Sequence, residues 1–142
     1  MYMKTLALLL ALFTSNFILT AQDNAKGITI TVTVPNVTGS EGEVLFALYD
    51  ENTFMKAAPI QAAKSEIENG VAKVTFTNIP AGEYGITCLH DANGNGRMDF
   101  EANGMPKESY GVSNNNMSYG PPMWGDAKFE VGNEDLAFEI RM

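Results

Sequence analysis

The sequence predicts an all-β protein, a single antiparallel β-sandwich of about seven strands with one long loop rich in Gly, Asn and Pro. Three observations lead to this fold class. Apolar and polar residues alternate with a period of two in most segments, and turn signals recur about every 8–12 residues. No segment shows the periodicity of a helix of useful length. The expected architecture is immunoglobulin-like or prealbumin-like.

Residues 1–21 are predicted to be a signal peptide. Lys4 supplies a short positive region, Leu6–Phe13 form the apolar region, and Ala21 offers a small residue at the cleavage point. The apolar run is interrupted and too short to span a bilayer; an uncleaved N-terminal anchor is the alternative. We therefore expect residues 22–142 to form a single exported domain, periplasmic or extracellular, with no membrane span.

The net charge restricts the class of partner, and the cysteine content restricts the possible disulfides. The chain carries 9 Lys and Arg against 17 Asp and Glu, a formal net charge of −8. This balance argues against a nucleic-acid partner, because little basic charge is available to neutralise phosphates. Cys88 is the only cysteine, so no intrachain disulfide can form, and its mid-strand position predicts that the thiol is buried.

The first strands are predicted from alternation and from one turn. Residues 28–34 alternate apolar and threonine side chains, as in a half-buried strand, and Val44–Tyr49 read as a more buried one. Glu51–Ala58 favour a short helical turn. Residues 61–68 and 71–77 are expected to pair as a hairpin, because Asn-Gly tolerates the positive φ of a tight turn at Asn69 and Gly70.

The second half combines a strand, a long loop and two final strands. Tyr84–Leu89 is expected to place Tyr84, Ile86 and Cys88 on one face. The loop from Asp91 to about Gly125 exceeds the length usual for loops without structure of their own, which favours a functional or metal-supported segment. Two strands are then predicted from alternating apolar residues, namely Ala127, Phe129 and Val131, followed by Leu136, Phe138, Ile140 and Met142.

The start of that loop has the spacing of a calcium site. Side-chain oxygens recur at Asp91, Asn93 and Asn95, a glycine follows, and Asp99 adds a second carboxylate. The backbone carbonyl of Arg97 completes the predicted ligand set. Ca²⁺ prefers about six to eight oxygen ligands, which a curled loop can direct at one centre.

The pattern departs from a helix–loop–helix site in two ways. Ala102 stands where a bidentate glutamate would close an EF-hand, and the flanking segments are strands. We therefore expect a β-flanked loop completed by Glu101, by another loop or by water, with an affinity of about 10⁻⁴–10⁻³ M. The alternative is an Asx-rich turn whose side chains bond to their own backbone.

Two motifs resemble known families. The Phe76–Tyr84 segment, with Pro80 and Gly82, resembles a hairpin of transthyretin-like and collagen-adhesin-repeat sandwiches. The His90–Asp99 motif, followed by Gly104–Asn115, is similar to an exported bacterial family, domain of unknown function 2141. The resemblance covers residues 28–142 and implies a secreted β-sandwich, with no catalytic residues to carry over.

Two further groups of side chains could carry chemistry. His90, the only histidine, lies two residues from Cys88, but strand geometry separates such neighbours too far for a reactive pair, so a structural role is favoured. Tyr110, Tyr119 and Trp124 form a possible ligand surface. The alternative is that Trp124 and Tyr119 fold back and cap the open end of the sandwich.

Two functional hypotheses result. The first is a non-catalytic binding or structural module with a calcium-supported loop and an unidentified protein or glycan partner. The second is a small carbohydrate-active or other hydrolytic enzyme that uses Asp91, Asp99 or Glu101 as acid or base. Carboxylates clustered on one loop suit a cation better than catalysis, so we favour a protein that is not an enzyme.

Overall fold

The computed structural model describes residues 27–116 and 120–142; the predicted signal peptide and Tyr119 lie outside these ranges. The described residues form eight strands, a 3₁₀ turn and one short helix, α1. Their bounds are β1 Ile28–Val34, β2 Glu43–Tyr49, β3 Gln61–Glu66, β4 Ala72–Ile79, β5 Gly82–Asp91, β6 Tyr110–Val112, the 3₁₀ turn Ser113–Asn115, α1 Trp124–Ala127, β7 Phe129–Val131 and β8 Leu136–Glu139.

Two sheets form the sandwich, which confirms the predicted all-β class. One sheet has the order β4-β1-β8, and the five-stranded sheet has the order β3-β2-β5-β6, with β7 paired to the start of β5. The described part of the chain has one strand more than the seven that were predicted. This additional strand is β6, which lies inside the predicted loop and pairs with Thr87–Leu89. The prediction of a strand beginning at Ala127 was wrong, because Ala127 ends α1.

One strand pair departs from the predicted antiparallel arrangement. Strand β8 runs parallel to β1, with Ile30 opposite Leu136. The cause lies in the preceding connection. Val131, the end of β7, pairs with Gly82, just after Ile79, the residue that pairs with the start of β1. The chain therefore enters β8 at the end of the sandwich where β1 begins. Residues in contact across this pair are far apart in sequence.

The core lies between the two sheets and follows the predicted alternation. The even positions of β1, Ile28 to Val34, are at most 4% exposed. Tyr84, Ile86 and Cys88 of β5 face them from the other sheet. Each fully buried aliphatic or aromatic side chain contributes roughly 1.5–3 kcal/mol. The alternation thus specifies which face of each strand turns inward.

The predicted turn at Asn69 and Gly70 is present, but the hairpin is not. Both residues have positive φ, 52° and 76°, and the backbones of Glu68 and Val71 exchange two hydrogen bonds of 3.0 Å. Beyond this bridge the strands separate. β3 pairs with β2, whereas β4 pairs with β1 in the opposite sheet. The turn is therefore a corner between the sheets, because the apolar side chains that follow it cover opposite sides of the core.

Ser113 joins β5 to the segment before β7. Its side chain is fully buried, its Oγ accepts a hydrogen bond from the Ile86 N–H at 3.1 Å, and its hydroxyl donates to the Ala127 carbonyl. These bonds satisfy backbone groups that no ladder serves. They hold the second half of the long loop against the sheet.

Side-chain amides form hydrogen bonds across both open sides of the sandwich. On one side, Gln61 Nε2 on β3 donates to the Thr77 carbonyl on β4 at 2.9 Å. On the other, Asn115 Nδ2 donates to the Glu139 carbonyl at 2.9 Å, and its Oδ1 accepts from the Arg141 N–H at 2.8 Å. Neither sheet therefore ends in a fully open row of backbone groups.

Within the described ranges, no helix has the length and apolar character needed to cross a bilayer.

Candidate functional site

Asp91 anchors the predicted calcium loop. It ends β5, pairs with Glu43 in the ladder and is 4% exposed. Its Oδ1 accepts from the Asn95 N–H at 3.2 Å, and its Oδ2 accepts from the Gly96 N–H at 2.8 Å. A buried carboxylate requires such partners. Asp91 therefore sets the curvature of the loop, which folds back over the sheet.

The other predicted ligands meet at Asp99. Asn93 Nδ2 donates to Asp99 Oδ2 at 2.5 Å, and Asn95 Nδ2 donates to both carboxylate oxygens at 2.8 Å. These two amides, helped by the charges of Arg97 and Lys107, hold the pKa of Asp99 below its ordinary value. The predicted side chains thus converge, because Asn95 is hydrogen-bonded to the carboxylates of both Asp91 and Asp99.

The remaining bonds of the loop are those of consecutive Asx turns. Asn93 Oδ1 accepts from the Asn95 N–H at 3.2 Å, and Asn95 Oδ1 accepts from the Arg97 N–H at 3.1 Å. Side chains thus bond to the backbone two residues later, as the alternative interpretation of the motif expected. Across the described residues, no three His, Cys, Asp or Glu side chains are grouped so as to hold a metal ion. Any cation here would need oxygens from the asparagine amides.

Glu108 is a member of the site that sequence reasoning missed. Its Oε2 accepts from the Asp99 N–H at 3.3 Å, while its Oε1 is buried without a hydrogen-bond partner. The His90 N–H donates to the Ser109 carbonyl at 2.9 Å, which continues the β5–β6 register and places Glu108 beside Asp91. That register cannot be read from the sequence. Glu101, one of the three predicted ways of completing the ligand set, lies in an exposed turn, where its N–H donates to the Met105 carbonyl at 2.7 Å.

Cys88 and His90 do not form a reactive pair. Cys88 is 1% exposed, and burial raises the pKa of its thiol to about 12 although it hydrogen-bonds with the Gly111 backbone. The prediction of a buried thiol is confirmed. His90 Nε2 lies 2.8 Å from the Glu41 carbonyl oxygen. A carbonyl oxygen only accepts hydrogen bonds, so Nε2 carries the proton. This bond links the β1–β2 connection to β5.

The aromatic residues pack over the outer face of the five-stranded sheet. Phe54, 3% exposed, meets Trp124 with ring centroids 5.6 Å apart and Tyr49 at 5.7 Å. A Cβ at Gly85 would lie 3.2 Å from Phe54 and 3.3 Å from Trp124. Trp124 therefore folds back as the alternative predicted, but onto the sheet face and not over the open end. Tyr110 packs against the same cluster.

Phe54 was not predicted to belong to this aromatic cluster, although its position in the turn is partly readable from the sequence. Asp50 Oδ1 accepts from the backbone N–H groups of Asn52 and Thr53 at 2.9 and 3.0 Å. The predicted helical turn is thus an Asp-capped turn, and it directs Phe54 onto the sheet. The Asp-x-x-Thr spacing was the available signal.

A shallow groove of about 480 Å³ runs along the same outer face. We call it the outer groove; its floor and walls include Leu45, Ala47, Tyr49, Ala62, Thr87 and Leu89. Among the described residues that line it, Lys64 is the only charged side chain, and Gly96 of the predicted calcium loop closes one side. The loop and the groove therefore form one continuous surface.

The comparisons with known proteins give one match. A family model described as "Uncharacterized protein conserved in bacteria (DUF2141)" matches residues 32–139. Neither the curated proteins nor the solved structures contain a match.

Proposed function

The chain belongs to the DUF2141 family of bacterial proteins, and from that premise we propose that it is an exported, non-catalytic binding or structural module whose Asp91–Asp99 loop binds calcium. Export to the periplasm or beyond rests on the character of residues 1–21. The transthyretin-like resemblance stays a prediction, since no solved structure matches.

The unpartnered Oε1 of Glu108 carries the calcium proposal. A buried carboxylate oxygen without a partner is unfavourable by about 1–3 kcal/mol or more, and a cation would remove that penalty. Rotating the Asn93 and Asn95 amides about their last side-chain torsion would turn oxygens toward Asp99 in place of nitrogens. With Asp91 and the Arg97 carbonyl, the loop then offers enough oxygens for Ca²⁺.

The same contacts support a role other than catalysis. Asp91 is 4% exposed and is covered by the loop that its oxygens hold, so its carboxylate does not face a substrate, whereas each oxygen keeps a second lone pair for a cation within the loop. The lowered pKa of Asp99 disfavours a role as general acid, which must carry a proton, and the Asn93 and Asn95 amides occupy both of its oxygens. Glu101 stands apart from both in its exposed turn. Turnover in a broad screen of glycosidic and ester substrates would favour the enzymatic alternative.

Calcium is expected to stabilise the purified protein. A ligand that binds only the native state adds RT ln(1 + [L]/Kd), which is about 1.4 kcal/mol for 10 mM Ca²⁺ at a millimolar site. Calorimetry in excess chelator and in 10 mM Ca²⁺ should show a rise in Tm of a few degrees, roughly as that energy implies. Asp91→Ala and Glu108→Gln should abolish the rise.

Two further variants sharpen the calcium test. Glu134→Gln removes an exposed carboxylate in the β7–β8 turn, at the opposite end of β5, and should retain the full rise in Tm. Glu101→Gln distinguishes the two possible completing ligands and should also retain it. An unchanged Tm in wild-type protein, or equal loss in Glu134→Gln, would rule the site out.

Export is tested by the mature N-terminus. The protein isolated from the cell envelope or the medium should begin at Gln22, because cleavage is expected after Ala21. Intact mass measurement of this material decides the point. Protein recovered only from the cytoplasm with residues 1–21 still attached would contradict export.

A further inference from the structure

We propose that the outer groove binds a basic peptide that also carries apolar side chains. The assignment goes beyond the calcium proposal and does not depend on it. It rests on the shape of the groove and on the charge along one of its sides.

The floor of the groove is a line of small side chains that crosses three strands. In the ladders Ala47 lies opposite Ala62 on one side and Thr87 on the other, and all three project from the outer face. Neighbouring strands lie about 4.8 Å apart, so the line is about 10 Å long. Its lining is apolar apart from Thr87 and the rim, which suits the desolvation of leucine- or valine-like side chains.

Larger side chains form a wall along one side of this floor. Leu45 lies opposite Lys64 and Leu89, and Leu89 lies opposite Tyr110 on β6. This line is two residues along the strands from the floor, a displacement of about 6.8 Å. Tyr49 stands on the other side, two residues further along β2. A narrow apolar trough therefore lies between two walls.

A line of carboxylates lies immediately beyond the Leu45 wall. Glu43 is opposite Glu66 on β3 and opposite Asp91 on β5, so three acidic residues occupy adjacent strands on one face. Like charges in such positions are unfavourable unless something neutralises them. Within the described residues, the ion pair recorded for this line is Lys64 Nζ with Glu43 Oε2, at 3.2 Å. Asp91 is only 4% exposed beneath the Asp91–Asp99 loop, so Glu66 and Glu43 supply the negative potential that an occupant of the groove would meet.

The charges around the groove indicate which class of ligand would bind there. An anionic lipid headgroup or a fatty acid would meet the carboxylates, and Lys64, the one cation that the described part of the chain contributes to the groove lining, is already paired with Glu43. A second copy of the chain would bring another formal charge of −8. A peptide with lysine or arginine beside apolar residues matches both surfaces, since opposite charges improve specificity and the rate of encounter.

The binding test uses three short fluorescent peptides, in which leucine alternates with lysine, leucine with glutamate, or serine with lysine. Fluorescence anisotropy is measured in excess chelator and repeated with Ca²⁺. The Leu-Lys peptide should bind about tenfold or more tightly than the other two, a difference of about 1.4 kcal/mol, and salt should weaken its binding. Equal binding of the Leu-Glu or Ser-Lys peptide, or no binding of any peptide, overturns the proposal.

Variants locate the binding to the outer groove. Glu66→Lys, an exposed change on β3, should weaken the Leu-Lys peptide about fivefold, as expected for the loss of a surface ion pair of about 1 kcal/mol. Ala62→Trp should fill the floor of the outer groove and weaken binding of the Leu-Lys peptide more than Glu66→Lys does. Glu134→Lys makes the same charge change at the opposite end of β5 and should alter the affinity less than about twofold, a difference of about 0.4 kcal/mol.

Equal weakening by Glu66→Lys and Glu134→Lys would mean that only the net charge matters, and would overturn the assignment of the groove. Circular dichroism of each variant shows that it is folded. Because the assay in chelator needs no bound calcium, loss of the calcium proposal would leave these results unchanged, and the two proposals fail separately.

Discussion

Cys88 illustrates how a single side chain depends on its surroundings. Its thiol faces the core and its pKa is raised to about 12 by burial, so the reactive thiolate is scarce at neutral pH. A thiol reagent should therefore label the folded protein far more slowly than the protein in denaturant. Rapid and complete labelling without denaturant would contradict burial and reopen a role for Cys88 with His90.

Two substitutions at Cys88 should separate the effect of lost side-chain volume on stability from the effect of a buried charge. Cys88→Ala removes one buried sulfur atom and should lower the free energy of unfolding by about 1 kcal/mol. Cys88→Asp places an unpaired carboxylate among apolar side chains, a larger loss than a small domain can tolerate, and should prevent folding. Urea unfolding of the first variant and circular dichroism of the second are the measurements.

Asp99 should titrate at lower pH than an ordinary aspartate. The amides of Asn93 and Asn95 donate to its carboxylate and lower its pKa, so Asn95→Ala should move that pKa back up. Carboxyl chemical shifts followed by NMR against pH measure the change. Asn103→Ala is the matched control, since the Asn103 side chain bonds to the Met105 N–H and not to Asp99. An unchanged pKa in Asn95→Ala would contradict the assigned bonds.

The sign of the linked pH effect follows from the direction of that shift. Because the folded-state pKa of Asp99 lies below its unfolded value, its contribution to stability is complete above the unfolded pKa. The contribution is lost as the pH falls through the folded pKa. Asn95→Ala should therefore reduce the difference in stability between neutral and acidic buffer.

At the scale of elements, β6 depends on a glycine. A Cβ on Gly111 would lie 2.5 Å from the Arg141 carbonyl oxygen and 2.7 Å from Ile140 Cγ2, too close for the chain after β8 to stay in place. Gly111→Ala should lower the free energy of unfolding by roughly 1–3 kcal/mol, as overpacking does. Gly125→Ala in α1, where a Cβ meets nothing within 4 Å, should change it by less than about 0.5 kcal/mol. Urea unfolding curves compare the two, and equal effects would contradict the close contact.

Local sequence patterns predicted the individual strands and turns better than they predicted which strands pair with each other. The alternation of Ile28 and its successors specified both the strand and its buried face, because the side-chain period of a strand is itself a property of the sequence. The Asn69-Gly70 turn was predictable for the same local reason. That β3 and β4 then enter opposite sheets depends on which strands compete for their backbone groups, and no residue in the turn carries that information.

At the scale of the whole molecule, the candidate site was predictable only in its local part. Asp91, Asn93, Asn95 and Asp99 share one loop, so their convergence followed from spacing. Glu108 and the outer groove were missed because both depend on register between strands distant in sequence. Trp124 was recognised as an unusual residue, but its partner Phe54 comes from a turn 70 positions earlier.

The parallel pairing of β8 with β1 has a consequence for the order of folding. β1 is the middle strand of its sheet, and one of its two neighbours is β8, the strand most distant from it in sequence. Such a contact closes a loop of more than a hundred residues, which makes it slow to form and late to contribute. A nascent chain that ends before Leu136 lacks both β8 and the buried Ile140. The native three-stranded sheet can therefore form only after residues 136–140 have been synthesised, and until then β1 keeps one edge without a partner strand.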